Sequence, residues 1–206
     1  MELVIASRNV HKIREFRSIL KKISVSVDLF SLLDFPQYIP VPETGNSFEE
    51  NAIAKAVHAA QHLKRWVIAD DSGLIVPALN GAPGIYSRRY AGEHATDKEN
   101  RNKLLNAMKD IQETARQGYF ECWVALASPE GLKKTAKGVS EGMITDKERG
   151  SLGFGYDAIF IKHEYGKTFA ELEEETKNRI SHRRKAIDKI LLVLESIVQD
   201  ADALSR

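Results

Sequence analysis

Trp66-Val67-Ile68-Ala69-Asp70-Asp71-Ser72-Gly73-Leu74 is an apolar run that closes on two adjacent carboxylates. The run Trp66-Val67-Ile68 predicts a buried strand, and Asp-Ser-Gly after it predicts that the strand meets a turn there. A charge leaving a buried strand pays a large desolvation penalty unless a partner offsets it, and a bound cation does so for an acidic pair. The stretch is therefore read as a metal site, with an acidic turn or helix cap as the competing reading.

Outward from this strand, β-prone and helical patterns alternate. Leu3-Val4-Ile5-Ala6 predicts a first strand, and Ile13, Phe16, Ile19 and Leu20 follow at helical spacing. Residues 25–30 alternate as a second strand, before an irregular stretch through Pro36, Pro40 and Pro42. Ser47-Phe48-Glu49-Glu50 fits a capping box opening an Ala-rich helix to about residue 64, and Thr96-Asp97-Lys98-Glu99 fits another. Residues 119–127 and 133–139 flank Pro129-Glu130-Gly131, which predicts a hairpin. After Ser181, the positions Ile187, Ile190, Leu191, Leu194 and Ile197 form one helical stripe, read as core. Strands alternating with helices, plus one hairpin, predict an α/β fold with a mixed twisted sheet and flanking helices.

The 206 residues, 43% apolar and 29% charged, suit a single domain over the whole chain. Thirty basic and 29 acidic residues leave a formal charge of +1, so no global field favours nucleic acid or an anionic membrane, and any anion site is local. Cys122 is the only cysteine. It excludes an intrachain disulfide, suits a reducing compartment, and lies in a strand-like stretch where a core thiol is expected. No apolar run reaches membrane-span length and Met1-Glu2-Leu3-Val4-Ile5-Ala6 reads as a strand with no basic leader, so a cytoplasmic protein is expected.

Three segments carry chemistry. Ser7-Arg8-Asn9-Val10-His11-Lys12 stands between a strand and a helix, where free N–H groups and the helix dipole favour an anion. Ser7 and Asn9 can donate to phosphate oxygens and Lys12 can reach back as a point charge, although a capped helix with surface basic residues explains the same letters. The segment lacks the glycines of a P-loop. Glu43, in Pro42-Glu43-Thr44-Gly45, can complete a cation site with Asp71, and magnesium is the natural ion because it takes one or two carboxylates and keeps waters and phosphate oxygens as its other ligands. Glu49 and Glu50 are explained by the dipole of the helix they open and stay outside the site. Gly150-Ser151-Leu152-Gly153-Phe154-Gly155-Tyr156-Asp157 permits close backbone approach and offers a ring for a planar base. Lys177 and Ser181-His182-Arg183-Arg184-Lys185 add donors near a helix start, where a solvated basic cap is the competing reading.

Together these segments resemble the inosine triphosphate pyrophosphatase family over nearly the whole chain. The resemblance is carried, in order, by Ser7-x-Asn9-x-x-Lys12, Glu43-Thr44-Gly45, Glu50-Asn51-Ala52, Ala69-Asp70-Asp71-Ser72-Gly73-Leu74, Gly81-Ala82-Pro83-Gly84-Ile85-Tyr86-Ser87, Gly153-Phe154-Gly155-Tyr156-Asp157 and Ser181-His182-Arg183. It implies a mixed α/β sheet in two lobes around a central active-site cleft, assembled as a homodimer. It implies that Ser7, Arg8, Asn9, Val10, His11 and Lys12 hold a triphosphate, that Glu43 and Asp71 bind magnesium, and that Asp71 is also the general base. Ser72 would touch the nucleotide and Phe154 would stack on the purine. Gly155 and Tyr156 share that loop, and Asp157, Lys177, His182 and Arg183 would line the base and phosphate ends. The implied reaction splits a nucleoside triphosphate into monophosphate and pyrophosphate and clears deaminated purines, with no nucleic-acid or membrane partner. The chain departs from the family pattern at Arg8 and His11, where glycine is common, at Arg88, and at Ala158, where proline is usual.

Overall fold

The computed structural model describes residues 1–21 and 27–204, with side chains to residue 199. Among the described residues, seven strands form one mixed sheet: β1 (Glu2–Ile5), β2 (Asp28–Ser31), β3 (Trp66–Ile75), β4 (Gln117–Ser128), β5 (Gly131–Ile144), β6 (Phe160–Lys162) and β7 (Lys167–Thr168). Their order is β2-β1-β3-β4-β5-β6-β7. β1 runs parallel to β2 and β3, while β5–β6 and β6–β7 are antiparallel. The mixed sheet expected from the pattern is thus present, and two residues join β4 to β5, which only a hairpin permits. Residues 25–26 of the predicted second strand lie outside the described residues, and β2 begins at Asp28.

The helices are α1 (Val10–Leu20), α2 (Phe48–Leu63), α3 (Asp97–Ala107), α4 (Glu174–Ile180) and α5 (His182–Leu204). Their starts follow local chemistry. Asn9 caps α1 by accepting from the N–H groups of His11 and Lys12, and Thr96 with Glu99 forms a complete capping box on α3. The box expected at α2 is half made. Ser47 accepts from Glu50 N–H, but the Glu50 carboxylate accepts from Asn46 N–H. Among the described residues no helix is long and apolar enough to cross a membrane.

The chain divides into two compact units. The first comprises Met1–Asp71, Cys122–Gly138 and Arg183–Arg206. Its core follows the pleat, since alternate residues of a strand face opposite sides. Leu3 and Ile5, Ile68, and Cys122, Val124 and Leu126 pack with α1 and with Ile187, Ile190 and Leu194 of α5. Val4, Val67 and Ala69, Ala125 and Ala127 pack on the other side with Ala52, Ala56, Ala59 and Ala60 of α2, whose small side chains let that helix lie close. Cys122 is a buried core thiol, as expected.

The second unit comprises Ser72–Glu121 and Val139–His182. Leu74 and Val76, Phe120, Ile144, Leu104 and Met108 form its core with Tyr156, Phe160 and Phe169. Its buried Arg116 donates to the carbonyls of Met108, Ile144 and Thr145, which fixes the turn after α3 to the end of β5.

Candidate active site

β3 does not turn at Asp70. It runs to Ile75 through Asp70-Asp71-Ser72-Gly73, so the pleat sends the two carboxylates to opposite faces. This corrects the expectation that the acidic pair shares one cation at a strand end. Asp70 faces α1 and α5. Its Oδ2 accepts from Arg183 Nε (3.2 Å) and Nη2 (2.9 Å) and from Lys12 Nζ (3.1 Å). Arg183 also pairs with the buried Glu15, one turn of α1 beyond Lys12. Burial alone would raise the Asp70 pKa, but the Arg183 guanidinium, then Lys12 and Lys55, hold its carboxyl well below the usual range. The same buried charge, added to desolvation, pushes the Cys122 thiol up. A guanidinium and an ammonium offset this carboxylate.

Asp71 faces α2, where Asn51 and Lys55 lie four residues apart on one side of the helix. Asn51 Nδ2 donates to Asp71 Oδ2 (2.9 Å), and Asn51 Oδ1 accepts from Gly45 N–H (2.8 Å). One amide thus ties the Glu43-Thr44-Gly45 segment to the strand. Gly45 has no room for a side chain, since a Cβ there would stand 2.7 Å from Asn51 Oδ1 and 2.8 Å from Glu50 Cβ. Lys55 Nζ bridges Glu43 Oε1 (2.6 Å) and Asp71 Oδ1 (3.4 Å). Burial raises the Asp71 pKa despite Lys55, whereas for Glu43 the adjacent Lys55 outweighs burial and lowers it.

The Ser7–Lys12 loop forms a capped helix start. Asn9 Oδ1 occupies the first helical N–H groups, Ser7 Oγ accepts from Asn9 N–H (3.1 Å), and Lys12 meets Asp70. Arg8 reaches the carbonyl of Tyr38 (2.8 Å), which ties the loop to the proline-bearing stretch. Val10 is exposed, as is His11.

In the second unit, Gly153-Phe154-Gly155-Tyr156-Asp157 closes on itself. Phe154 N–H donates to Asp157 Oδ2 (2.9 Å), and Lys177 Nζ, from α4, meets the same oxygen (2.6 Å) while lying 4.8 Å from the Phe154 ring centre. Gly153 sits at φ +76°, and a Cβ there would overlap Asp157 Oδ2. Tyr156 is buried and donates to the Ser87 carbonyl (2.9 Å). The buried His182 ring stacks on Phe120 at 4.7 Å. Ser72 is half-buried.

The Ham1 family matches residues 3–192. A dITP/XTP pyrophosphatase of Protochlamydia amoebophila is 53% identical over 198 residues, 96% of this chain and 99% of its own. The solved Ham1 protein of Coxiella burnetii superposes with a TM-score of 0.85 at 39% identity, covering 95% of this chain and 99% of that one. The Ham1 protein of Staphylococcus aureus gives 0.83 at 44% identity, with the same coverage. The chain belongs to the Ham1 family.

Within this Ham1 chain, the structure brings Glu43 together with Asp71, Lys12 with Arg183, and Phe154 with Asp157 and Lys177. It separates Asp71 from Asp70 and Arg183. Glu43 and Asp71 are the residues that could hold a metal. Both present hard carboxylate oxygens, and both already meet one ammonium, so a single cation can serve them. Among the described residues no three His, Cys, Asp or Glu side chains cluster around a metal position. That donor set fits an ion satisfied by two carboxylates that completes its shell with water or phosphate. Sequence reasoning missed Lys55 and gave Asn51 no role. The signal was their four-residue spacing behind Glu50, which an Ala-rich helix disguises as an ordinary solvated face.

Proposed function

We propose that this protein is a magnesium-dependent pyrophosphatase for inosine, deoxyinosine and xanthosine triphosphates, yielding the monophosphate and pyrophosphate and so removing deaminated purines from the nucleotide pool. The observation that carries this reading is the Glu43–Lys55–Asp71 group, two carboxylates held around one cation position by Asn51 and Gly45. The dITP/XTP pyrophosphatase name borne by the Protochlamydia relative supports the substrate class.

The chemistry divides by residue. Water adds to the α-phosphorus as the bond to the bridging oxygen breaks, and pyrophosphate leaves with that oxygen. Asp71 takes the water's proton, with Asn51 fixing the plane of its carboxylate. Lys12 and Lys55 are the ammoniums placed for the polyphosphate end. Magnesium, when bound by Glu43 and Asp71, neutralises phosphate charge. Arg183 acts by holding Asp70, not by touching the base. Phe154 supplies the face for the purine, and the Lys177 ammonium supplies a donor for a C6 carbonyl, which adenine lacks. The molecule acts without nucleic-acid or membrane partners, in the cytoplasm and as a homodimer.

Pyrophosphate release from inosine, xanthosine, adenosine, guanosine and cytidine triphosphates, with and without magnesium, tests the reading. Inosine and xanthosine triphosphates should be split far faster, by about 10⁴-fold over adenosine triphosphate, because mispaired buried donors discriminate on that scale. Comparable rates for guanosine and inosine triphosphates would leave a general nucleotide pyrophosphatase, and no metal dependence would remove the role of Glu43.

A further inference from the structure

Thr96-Asp97-Lys98-Glu99 reads as a helix cap, yet its second residue does more than start α3. Asp97 Oδ2 accepts the Gly155 N–H at 2.7 Å, and Arg101 Nη1, one turn along the same helix face, donates to the Gly155 carbonyl at 2.8 Å. Both peptide groups flanking the Gly155 Cα are thereby held by charged side chains, which make shorter and stronger bonds than neutral ones. Arg101 is itself fixed by Glu148, Nε to Oε1 at 2.8 Å and Nη2 to Oε2 at 3.3 Å, a two-point pairing that sets the plane of the guanidinium. The capping box at Thr96 fixes the first turn of α3, and Asn100 ties its middle to Arg88 and Ala91.

The loop needs this support. Gly150, Gly153 and Gly155 all have positive φ, at +82°, +76° and +59°, so three residues in six adopt a conformation that costs glycine the most freedom to fix. Inside the loop, the Asp157 carboxylate accepts the Phe154 N–H, and the Asp157 N–H donates to the Phe154 carbonyl at 3.1 Å. The Phe154–Gly155 peptide is thus held at its carbonyl from within the loop and at its N–H from α3, and Arg101 fixes the peptide after it, so the direction of the Phe154 ring depends on Asp97 and Arg101 as well as on Asp157.

We infer that Asp97, Arg101 and Glu148 are positioning residues for base recognition, a brace on α3 and the segment before the loop that aims the Phe154 ring without touching the nucleotide. The inference rests on the assignment of Phe154 to the purine. A residue that acts through stacking contributes uniform binding, so its loss raises KM and leaves kcat near its starting value.

The test compares Asp97→Ala, Asp97→Asn and Arg101→Gln with the parent enzyme, each alone and with Phe154→Ala. Phe154→Ala alone should raise KM for inosine triphosphate by about 5- to 150-fold, the range for losing one base–aromatic stack. Asp97→Ala and Arg101→Gln should raise it by about 5- to 20-fold, a share of that stack. Inhibition by inorganic tripolyphosphate, which has no base, should not change. Asp97→Asn keeps an oxygen that accepts the Gly155 N–H and should recover most of the affinity. In the Phe154→Ala background the Asp97 change should add almost nothing, because groups acting through one ring are not additive. Full additivity there, or equal weakening of tripolyphosphate, would overturn the brace. Hydrogen exchange at the Gly155 amide gives a readout free of catalysis, and should quicken in Asp97→Ala. An unchanged exchange rate would refute the brace whatever the activity, whereas a parent enzyme inert towards inosine triphosphate with faster exchange in the variant would refute only the assigned function.

Discussion

Asp70 and Asp71 are the same residue one peptide apart on β3, and their surroundings diverge completely. On the α1 and α5 side, Asp70 is enclosed by Arg183 and Lys12, with Glu15 completing the charge balance, and its proton is driven off. On the α2 side, Asp71 meets an amide and a shared ammonium, and burial raises its pKa instead. The first is a closed structural ion group whose charges answer one another. The second is a carboxylate that shares one ammonium, Lys55, with Glu43. The surroundings of each aspartate are decided by the strand pleat and by what each helix brings to its side, not by residue type.

The sharpest way to break this contrast is to neutralise each aspartate in turn. Asp71→Asn should lower turnover by about 10²- to 10⁴-fold, the worth of a general base, with an unchanged thermal melt, since the amide keeps the shape and the Asn51 contact. Steady-state pyrophosphate release with excess magnesium checks it, and parent-level turnover would transfer the catalytic role elsewhere. Asp70→Asn should do the reverse. Removing one partner of a buried pair costs about 3–5 kcal/mol, here by leaving Arg183 with Glu15 alone, so urea unfolding should shift strongly. Its acid limb should differ too. The folded Asp70 pKa lies below its unfolded value of about 3.9, so the parent's extra stability is fully present above that pH and is lost as pH falls towards the folded value. The variant, with no carboxyl there, should show a flatter stability curve below about pH 4.

How much of this was legible follows from what each signal depends on. Continuous apolar runs placed β1 and the core of β3, helical spacing placed the buried face of α5, and Ser47 and Thr96 marked true helix starts, because these depend on neighbours a few residues away. The end of β3 was misread because Asp-Ser-Gly favours turns locally, and strand pairing overrode that preference. Arg183 sat in a basic run that reads as a solvated cap. Its burial depends on Glu15 and Asp70, 168 and 113 residues away, which no local pattern reveals. Glu43 and Asp71 were joined in the sequence reading, but the lysine between them was not, because its partners come from a loop and a strand outside its own helix.

Lys55 offers a finer cut on the Asp71 side. Lys55→Met keeps the length and removes the charge, leaving Glu43 and Asp71 to repel one another. Losing a hydrogen bond to a charged group is worth about 1.5–3 kcal/mol, or roughly 10- to 150-fold in kcat/KM. If the ammonium serves to hold the carboxylates as well as to meet phosphate, raising magnesium should recover part of that loss. No recovery across a magnesium titration would restrict Lys55 to the phosphate end.

The smallest expected effect concerns Lys12, which spans the contrast because it pairs with Asp70 yet stands on the loop assigned to the triphosphate. Lys12→Ala leaves Asp70 with both Arg183 contacts, so stability should fall by less than in Asp70→Asn, by about 1.5–3 kcal/mol, the scale of a hydrogen bond to a charged group. Binding should report the other role. Without the ammonium, affinity should fall about tenfold for inosine triphosphate, less for the diphosphate and least for the monophosphate, since each added phosphate brings charge that Lys12 can meet. Titrating the three nucleotides into parent and variant, beside matched urea unfolding curves, separates the outcomes. Equal losses for all three would make Lys12 a member of the Asp70 ion group alone, and a large stability loss would show that Arg183 cannot hold Asp70 by itself.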